Sequence, residues 1–422
     1  MKSISYFLIV FLFPLFLLSG IKLTGQSFTA EQKQAQCEKI VQAARFAWKN
    51  YKESGDFMDV LNPISSTGRN WYTYSLLITP VDAFDTFILL GMKNEAIEAK
   101  TMIFSYLNFN LDMEVQLFEI NIRLLGGLLT AYELDGDPKF LEYAYELGIR
   151  LLVAFDTPTG MPFRYTNLSR VSLRDSISNP AEIGTYLLEF GKLTQLTQDS
   201  SFYKAAKKAA MELYKRRSMI GLVGTTIDVT TGAWVNTESQ VGARIDSYYE
   251  SMFKAWKLFG DKDCKRAWET FNASVKKHLL TPTPNGSFFT RVDMSTGVET
   301  RPYYGALDAF YAGLLALSGD NQTAASVQKG NYYMWTKFNM EQEEFNFKTN
   351  KIIDPSYPLR PENIESCFYL YRSTKNELYL AMGKRMIDDI LLNCKVDNGF
   401  ASVKNVSTLE LEDSMDSFFF AE

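Results

Sequence analysis

The stretch "LTAYELDGDPKFLEYAYELGIRLL", residues 129–152, decides how this chain folds. Apolar residues recur at helical spacing on both sides of Gly136-Asp137-Pro138. Glycine suits the end of the first helix, because it enters a left-handed turn without a Cβ penalty. Asp137 is placed to cap the second helix, and Pro138 fits a first turn that needs no N–H. Two helices folded back on one another are predicted.

The same plan recurs in "FGKLTQLTQDSSFYKAAKKAAMELY", "MFKAWKLFGDKDCKRAWETFNASV", "LLALSGDNQTAASVQKGNYYMW" and "YLYRSTKNELYLAMGKRMIDDILL". An earlier copy is "TFILLGMKNEAIEAKTMIF", and the turns fall near residues 93, 136, 198, 261, 320 and 375. A helical hairpin repeated at this interval implies an array whose members bury their faces against neighbours, as an open solenoid or a closed toroid. A β-hairpin is predicted within "GLVGTTIDVTTGAWVNTE", turning at Thr230-Thr231-Gly232.

The 422 residues are 46% apolar and 14% aromatic, enough for a large core. A net charge of −5 without any Lys/Arg-rich run argues against nucleic acid as a partner. Met1-Lys2, the apolar "ISYFLIVFLFPLFLLSGI", Lys22 and "LTGQS" read as a signal peptide over 1–25, with the mature chain starting near Gln26. Pro14 and the modest length speak against a permanent membrane span. The protein is expected to be exported, periplasmic or extracellular, or else lumenal in a eukaryotic secretory pathway. There, Asn167, Asn272, Asn285, Asn321 and Asn405 would be glycan acceptors.

Cys37, Cys264, Cys367 and Cys394 stand far apart, and nothing assigns a disulfide pair. A single histidine, His278, excludes a Ser-His-Asp triad, a Cys-His pair and the usual zinc sites. Any catalysis here runs on carboxylates.

Those carboxylates recur with the hairpins. Glu119, Glu182, Asp246, Asp308, Glu362 and Glu422 are separated by 63, 64, 62, 54 and 60 residues, each near the start or middle of the first helix of a pair. A closed array would bring them to one axis. Two carboxyl groups roughly 6.5–9.5 Å apart, with a water between sugar and base, serve an inverting glycosidase. Simpler readings also stand: Glu119 with Arg123 makes an i,i+4 ion pair, and Asp308 caps or hydrogen-bonds. In "LRPENIESCFYLYR", Pro361 fits the first helical position, and Glu362 and Glu365 share a first turn where the helix dipole favours acids.

Several blocks together resemble glycoside hydrolase family 47, the class I α-mannosidases: "TPVDAFDTFILLGM", "FEINIRLLGGLLTAYELDGD", "LLVAFDTPTGMPFRYTNL", "AEIGTYLLEFGKLTQLTQD", "GARIDSYYESMFKAW", "LRPENIESCFYLYR" and "MDSFFFAE". They run in family order from about residue 40 to the last residue. The resemblance implies an all-α fold, a single (α/α)7 barrel over 26–422 with small β-hairpins in its loops. It also implies a monomeric, calcium-dependent (Ca2+), inverting hydrolase of terminal α-1,2-linked mannose on glycans. Glu119 matches the proposed general acid, Asp246 a second candidate for that role, and Glu362 the general base. Arg123, Glu182, Arg360, Glu365, Phe418 and Glu422 match residues lining the sugar subsite.

Three departures stand out. The family continues past "FFFAE" to a "NTEAHP"-like strand whose threonine binds calcium, so the domain is expected to be incomplete at its C-terminal end, with no direct metal ligand before Glu422. "VNTE" at 235–238 reads as a coincidence. Ala309 in "LDAFYAGLL" replaces a histidine common in the processing enzymes, a feature of the degradation-associated mannosidase-like branch. The family's usual cysteine pair has no counterpart. A mannose-binding, lectin-like protein with weak or no turnover is the alternative to an enzyme.

Overall fold

The structure is a computed structural model describing residues 27–55 and 57–422; the predicted signal peptide lies outside the described residues. The element that opens the chain, α1 (Ala30–Ser54), is capped by Thr29, whose hydroxyl accepts from Gln32 N while Gln32 reaches back. Six helical hairpins follow: α2 (Ile78–Leu89) with α3 (Lys93–Tyr106); then α4 (Leu117–Ile120), a π-helical turn (Asn121–Leu125) and α5 (Gly126–Asp135) with α6 (Pro138–Leu152). Next come α7 (Pro180–Gly184) and α8 (Leu187–Thr197) with α9 (Ser201–Lys215), and α10 (Asp246–Phe259) with α11 (Lys262–His278). The last are α12 (Phe310–Ser318) with α13 (Asn321–Lys337) and α14 (Glu362–Thr374) with α15 (Leu378–Asn393), followed by α16 (Phe418–Ala421). Every turn predicted from the sequence separates two helices of a hairpin.

Closure is visible in the packing. The first helices of successive hairpins touch in the order α2, α5, α8, α10, α12, α14, and α16 packs back on α2. Outside them, α1 bridges both ends of the array. It pairs with α15 through Lys39–Asp388 (2.6 Å) and with α3 through Lys52–Glu98 (2.7 Å) and Arg45–Glu95 (3.1 Å). The array is therefore a closed ring, an (α/α)7 barrel. Its seam is aromatic: Trp48 of α1 packs edge-on against Phe87 and Phe420. Each such side chain, fully buried, contributes about 1.5–3 kcal/mol.

The outer helices share one device. Asp137, Asp261 and Asp320 each cap an outer helix by accepting backbone N–H groups. Each also takes a lysine from the preceding outer helix: Lys100 (3.1 Å), Lys207 and Lys276 (2.5 Å). Ahead of each cap a glycine in the left-handed region (Gly136 φ 83°, Gly260 φ 69°, Gly319 φ 93°) ends the inner helix. The Gly-Asp step thus encodes both the turn and the contact between neighbouring hairpins.

Short antiparallel hairpins connect outer helices to the next inner ones, among them Thr226–Asp228 with Trp234–Asn236, the hairpin predicted around Gly232. Cys37, Cys264, Cys367 and Cys394 are all free thiols. Among the described residues no helix is long and apolar enough to cross a membrane.

Candidate active site

The inner helices start at one end of the barrel, and that end holds a cavity of about 580 Å³. Glu119, Glu182, Asp246, Glu362 and Glu422 all line it, as do Arg123, Arg360, Glu365 and Phe418. Asp308 does not. It sits in a 3₁₀ turn (Leu307–Ala309) ahead of α12, accepts from Gly305 N (2.8 Å) and lies against Gly242, where a Cβ would meet its carboxylate at 2.7 Å. Of the six periodic acids, Asp308 is the structural one.

Each cavity acid is held differently. Glu119 lies in α4, whose Leu117 and Ile120 turn into the core, and its Oε2 accepts from Arg123 Nε (2.9 Å). Arg123 belongs to the π-helical turn, a widened turn often found where a helix serves a site. Its guanidinium also reaches Asp82 (3.5 Å), and Ser417 Oγ donates to Asp82 Oδ2 (2.5 Å). Asn179 caps α7 by accepting from Glu182 N (3.0 Å). Glu182 is saturated: Arg164 donates to both oxygens (2.5 and 2.9 Å), with Gln116 (3.1 Å) and Ser178 (3.3 Å) completing the set.

Asp246 opens α10 and, among the described residues, accepts only from its neighbour Ser247, through N (2.8 Å) and Oγ (3.4 Å). Burial pushes it up to about 7, and Glu250 and Asp308 add to the push. Glu362 opens α14, with Pro361 at the cap position, one residue earlier than the sequence suggests. Burial raises Glu362 well above the usual carboxylate range, against the pull of Arg360 and with the help of Glu422. Its Oε2 is buried and has no partner among the described residues. Arg360 is itself committed to Glu343 by two hydrogen bonds (3.0 and 2.7 Å). Burial likewise lifts Glu365, to about 8, and Glu422.

Phe418 offers an aromatic ring at the edge of the cavity, with the guanidiniums of Arg123 (5.3 Å) and Arg360 (5.9 Å) near it. Rings of this kind take the C–H faces of sugars by apolar contact.

Sequence reasoning overlooked Glu189, Arg244, Glu250 and Lys254, which also line the cavity. A signal for two of them was present. Asp246, Glu250 and Lys254 stand four apart, so one face of α10 carries all three, with Lys254 and Glu250 paired at 2.6 Å. Arg244 gave no such signal; its left-handed backbone (φ 76°) is a feature of the fold.

The lining holds eight acidic and four basic side chains. This excess of hard oxygen donors, with an unpartnered buried carboxylate oxygen on Glu362, fits a hard cation such as calcium. No three acid, histidine or cysteine side chains among the described residues converge closely enough to ligate a metal directly. A cation here would be held by Glu362, Glu365 and Glu422 through water.

A closed helical barrel whose cavity gathers carboxylates, arginines and an aromatic ring brings together the side-chain types that glycosidases use, paired carboxyl groups above all. The profile of glycosyl hydrolase family 47 matches residues 43–422, and the chain belongs to that family. It is 34% identical to alpha-mannosidase I MNS5 of Arabidopsis thaliana, over 94% of this chain and 74% of the relative. It is also 34% identical to ER degradation-enhancing alpha-mannosidase-like protein 2 of Mus musculus, over 94% and 71%. Human mannosyl-oligosaccharide 1,2-alpha-mannosidase IB is 32% identical over 91% and 65%. Among solved structures, the alpha-1,2-mannosidase from Trichoderma reesei superposes with a TM-score of 0.86, covering 92% of each chain at 24% identity, which shows the shared fold.

Proposed function

We propose that this glycosidase removes terminal α-1,2-linked mannose from glycans with inversion, in an exported form or in the lumen of a secretory pathway. One observation carries the chemistry: carboxyls from the starts of separate inner helices share one cavity, and they differ in what holds them. Glu362, with a free oxygen, is suited to draw a proton from water as that water attacks the anomeric carbon. On the other side of the reaction the departing sugar oxygen needs a proton. Asp246, pushed up to about 7, still holds one near neutral pH, while Glu119 is bonded to Arg123 and lends charge to the developing oxocarbenium ion.

Glu182, fully bonded, has no oxygen free for proton transfer and serves to orient sugar hydroxyls through itself and Arg164. Phe418 stacks on the sugar. A calcium ion bound through water would supply the positive charge that keeps Glu362 ionised. The α-1,2 linkage is supported by the activity named for the human 1,2-alpha-mannosidase relative. The secretory setting is supported by the apolar N-terminal segment and by the ER named for the degradation-enhancing relatives.

The test is NMR of the first product released from α-1,2-mannobiose. β-Mannose appearing first is expected; α-mannose first removes the inverting assignment. Activity should vanish with a chelator and return with calcium. Tight binding of the disaccharide with no release of mannose would instead identify a lectin-like protein.

A further inference from the structure

Glu341 lies outside the cavity lining and is 0% exposed, yet it is tied to the residue that follows the base. Asn363 donates from Nδ2 to Glu341 Oε2 (2.8 Å) and to the Asn331 carbonyl (3.1 Å). Its own Oδ1 accepts from Gln328 Nε2 (2.8 Å). Gln328 Oε1 accepts from Asn331 Nδ2 (2.9 Å), and Asn331 Oδ1 accepts from the Tyr304 hydroxyl (2.5 Å). Asn331 also donates to the Ala309 carbonyl (3.1 Å), which takes the Ser366 hydroxyl as well (2.7 Å). This wholly buried polar chain stitches the 3₁₀ turn ahead of α12 to α13 and α14, beneath the first turn of α14. Glu341 ends it, and its Oε1 has no partner among the described residues.

The charged and titratable groups facing Glu341 are Glu343, Arg360, Glu362, Tyr304, Tyr357 and Cys367. Arg360 is the one cation among them, and Glu343 already takes its guanidinium through two bonds. An ionised Glu341 would stand against two other carboxylates with no cation of its own, a costly state in a dry interior. A neutral carboxylic acid needs no cation, and its carbonyl oxygen still accepts from Asn363. Burial accordingly lifts Glu341 to about 8.

We propose that Glu341 is a positioning residue for hydrolysis: held as a neutral carboxylic acid, it anchors Asn363, and through Asn363 it fixes Glu362 at the edge of the cavity. This rests on Glu362 being the general base. Removing the anchor frees the first turn of α14, and misplacing a catalytic group by about 1 Å costs on the order of 10²-fold in rate.

The experiment compares Glu341→Ala, Glu341→Gln and, as control, Glu362→Gln in the full chain, on α-1,2-mannobiose. Glu341→Ala should lose about 10- to 100-fold in kcat with KM within about twofold. Glu341→Gln, which keeps a neutral carbonyl acceptor, should restore kcat to near the wild-type value. Its melting temperature relative to wild type should rise from pH 4.5 to about 8 and then level off, because only the wild type must give up a proton there. Wild-type kcat in a folded Glu341→Ala protein overturns the proposal. So does a Gln protein as slow as the Ala one. If Glu341→Ala fails to fold, a Gln-to-wild-type melting difference that is flat with pH overturns it. Near-normal turnover by Glu362→Gln would remove the base assignment instead, whichever way Glu341 behaves.

Discussion

The caps of the outer helices and the first turns of the inner helices carry the same chemistry to opposite ends. Asp137, Asp261 and Asp320 stand at outer helix starts, partly open to water, each with backbone N–H groups and a lysine. Their bonding partners hold all three below the usual carboxylate range, Asp261 at about 2. Asp246 and Glu362 also stand at helix starts and are likewise half-buried, but they sit in the wall of the cavity, surrounded by protein, and among the described residues neither has a cation of its own. Burial lifts Asp246 to about 7 and Glu362 well above its ordinary value. The helix terminus contributes about 0.3–1 kcal/mol in either place, too little to set these differences. Burial and the supply of a partner decide whether a helix-start acid holds the fold together or remains available for proton transfer.

The comparison breaks most visibly at Glu362. Glu362→Gln keeps the volume and removes the base, so kcat should fall about 10²–10⁴-fold while KM changes little and the melting temperature holds or rises. An outer-ring acid changed the same way should leave kcat alone.

Asp246→Asn should give the next largest effect, on two readouts. Loss of the proton donor should lower turnover of mannobiose about 10²-fold, and much less on an aryl mannoside whose leaving group needs no proton. Stability should move the other way. A carboxyl raised in the folded state from 3.8 to about 7 lends its full stability below pH 3.8 and loses it as pH climbs to 7. The loss approaches about 4 kcal/mol. The Asn protein should therefore match the wild type at pH 3 and be the more stable of the two at pH 8, by urea denaturation.

Asp261→Asn sharpens the contrast from the other side. Asparagine still caps, so the change isolates the charge. A carboxyl held near 2 contributes stability above pH 3.8 that is lost as pH falls through 2. With solvent screening the cost at neutral pH should be about 1 kcal/mol, shrinking toward pH 2, with kcat unchanged.

Much of this was legible in the chain because it depends on position along the sequence. The Gly-Asp steps at 136–137, 260–261 and 319–320 marked the turns, since a left-handed residue and a capping acid are local demands. The spacing of the acids marked the inner helix starts for the same reason. Side-chain direction was not legible. Asp308 keeps the period, but the 3₁₀ turn that carries it aims the carboxylate at the backbone of Gly305 and Gly242. Asp82, buried and paired with the cavity residue Arg123, escaped notice because its partners, Arg123 and Ser417, come from distant segments. The saturation of Glu182 by Arg164, Gln116 and Ser178 depends on a bend and two short strands meeting, which no local pattern announces.

The seam at α1 has a consequence for how the molecule is made. Lys39 and Asp388, which help hold the ring shut, are 349 residues apart in sequence. Chains grow at roughly 5–20 residues per second, so α1 would wait on the order of 20–70 s for its partner to be synthesised. During that interval the hairpins can form one after another, since their contacts are between neighbours, but the barrel has no lumen. The acids of the inner helices are then hydrated, dispersed along an open crescent, and ionise like any surface carboxylate. Only the last ring-closing event crowds them together, so the catalytic cavity is born in one late step, and a nascent chain stalled before α15 should be extensively helical and catalytically silent.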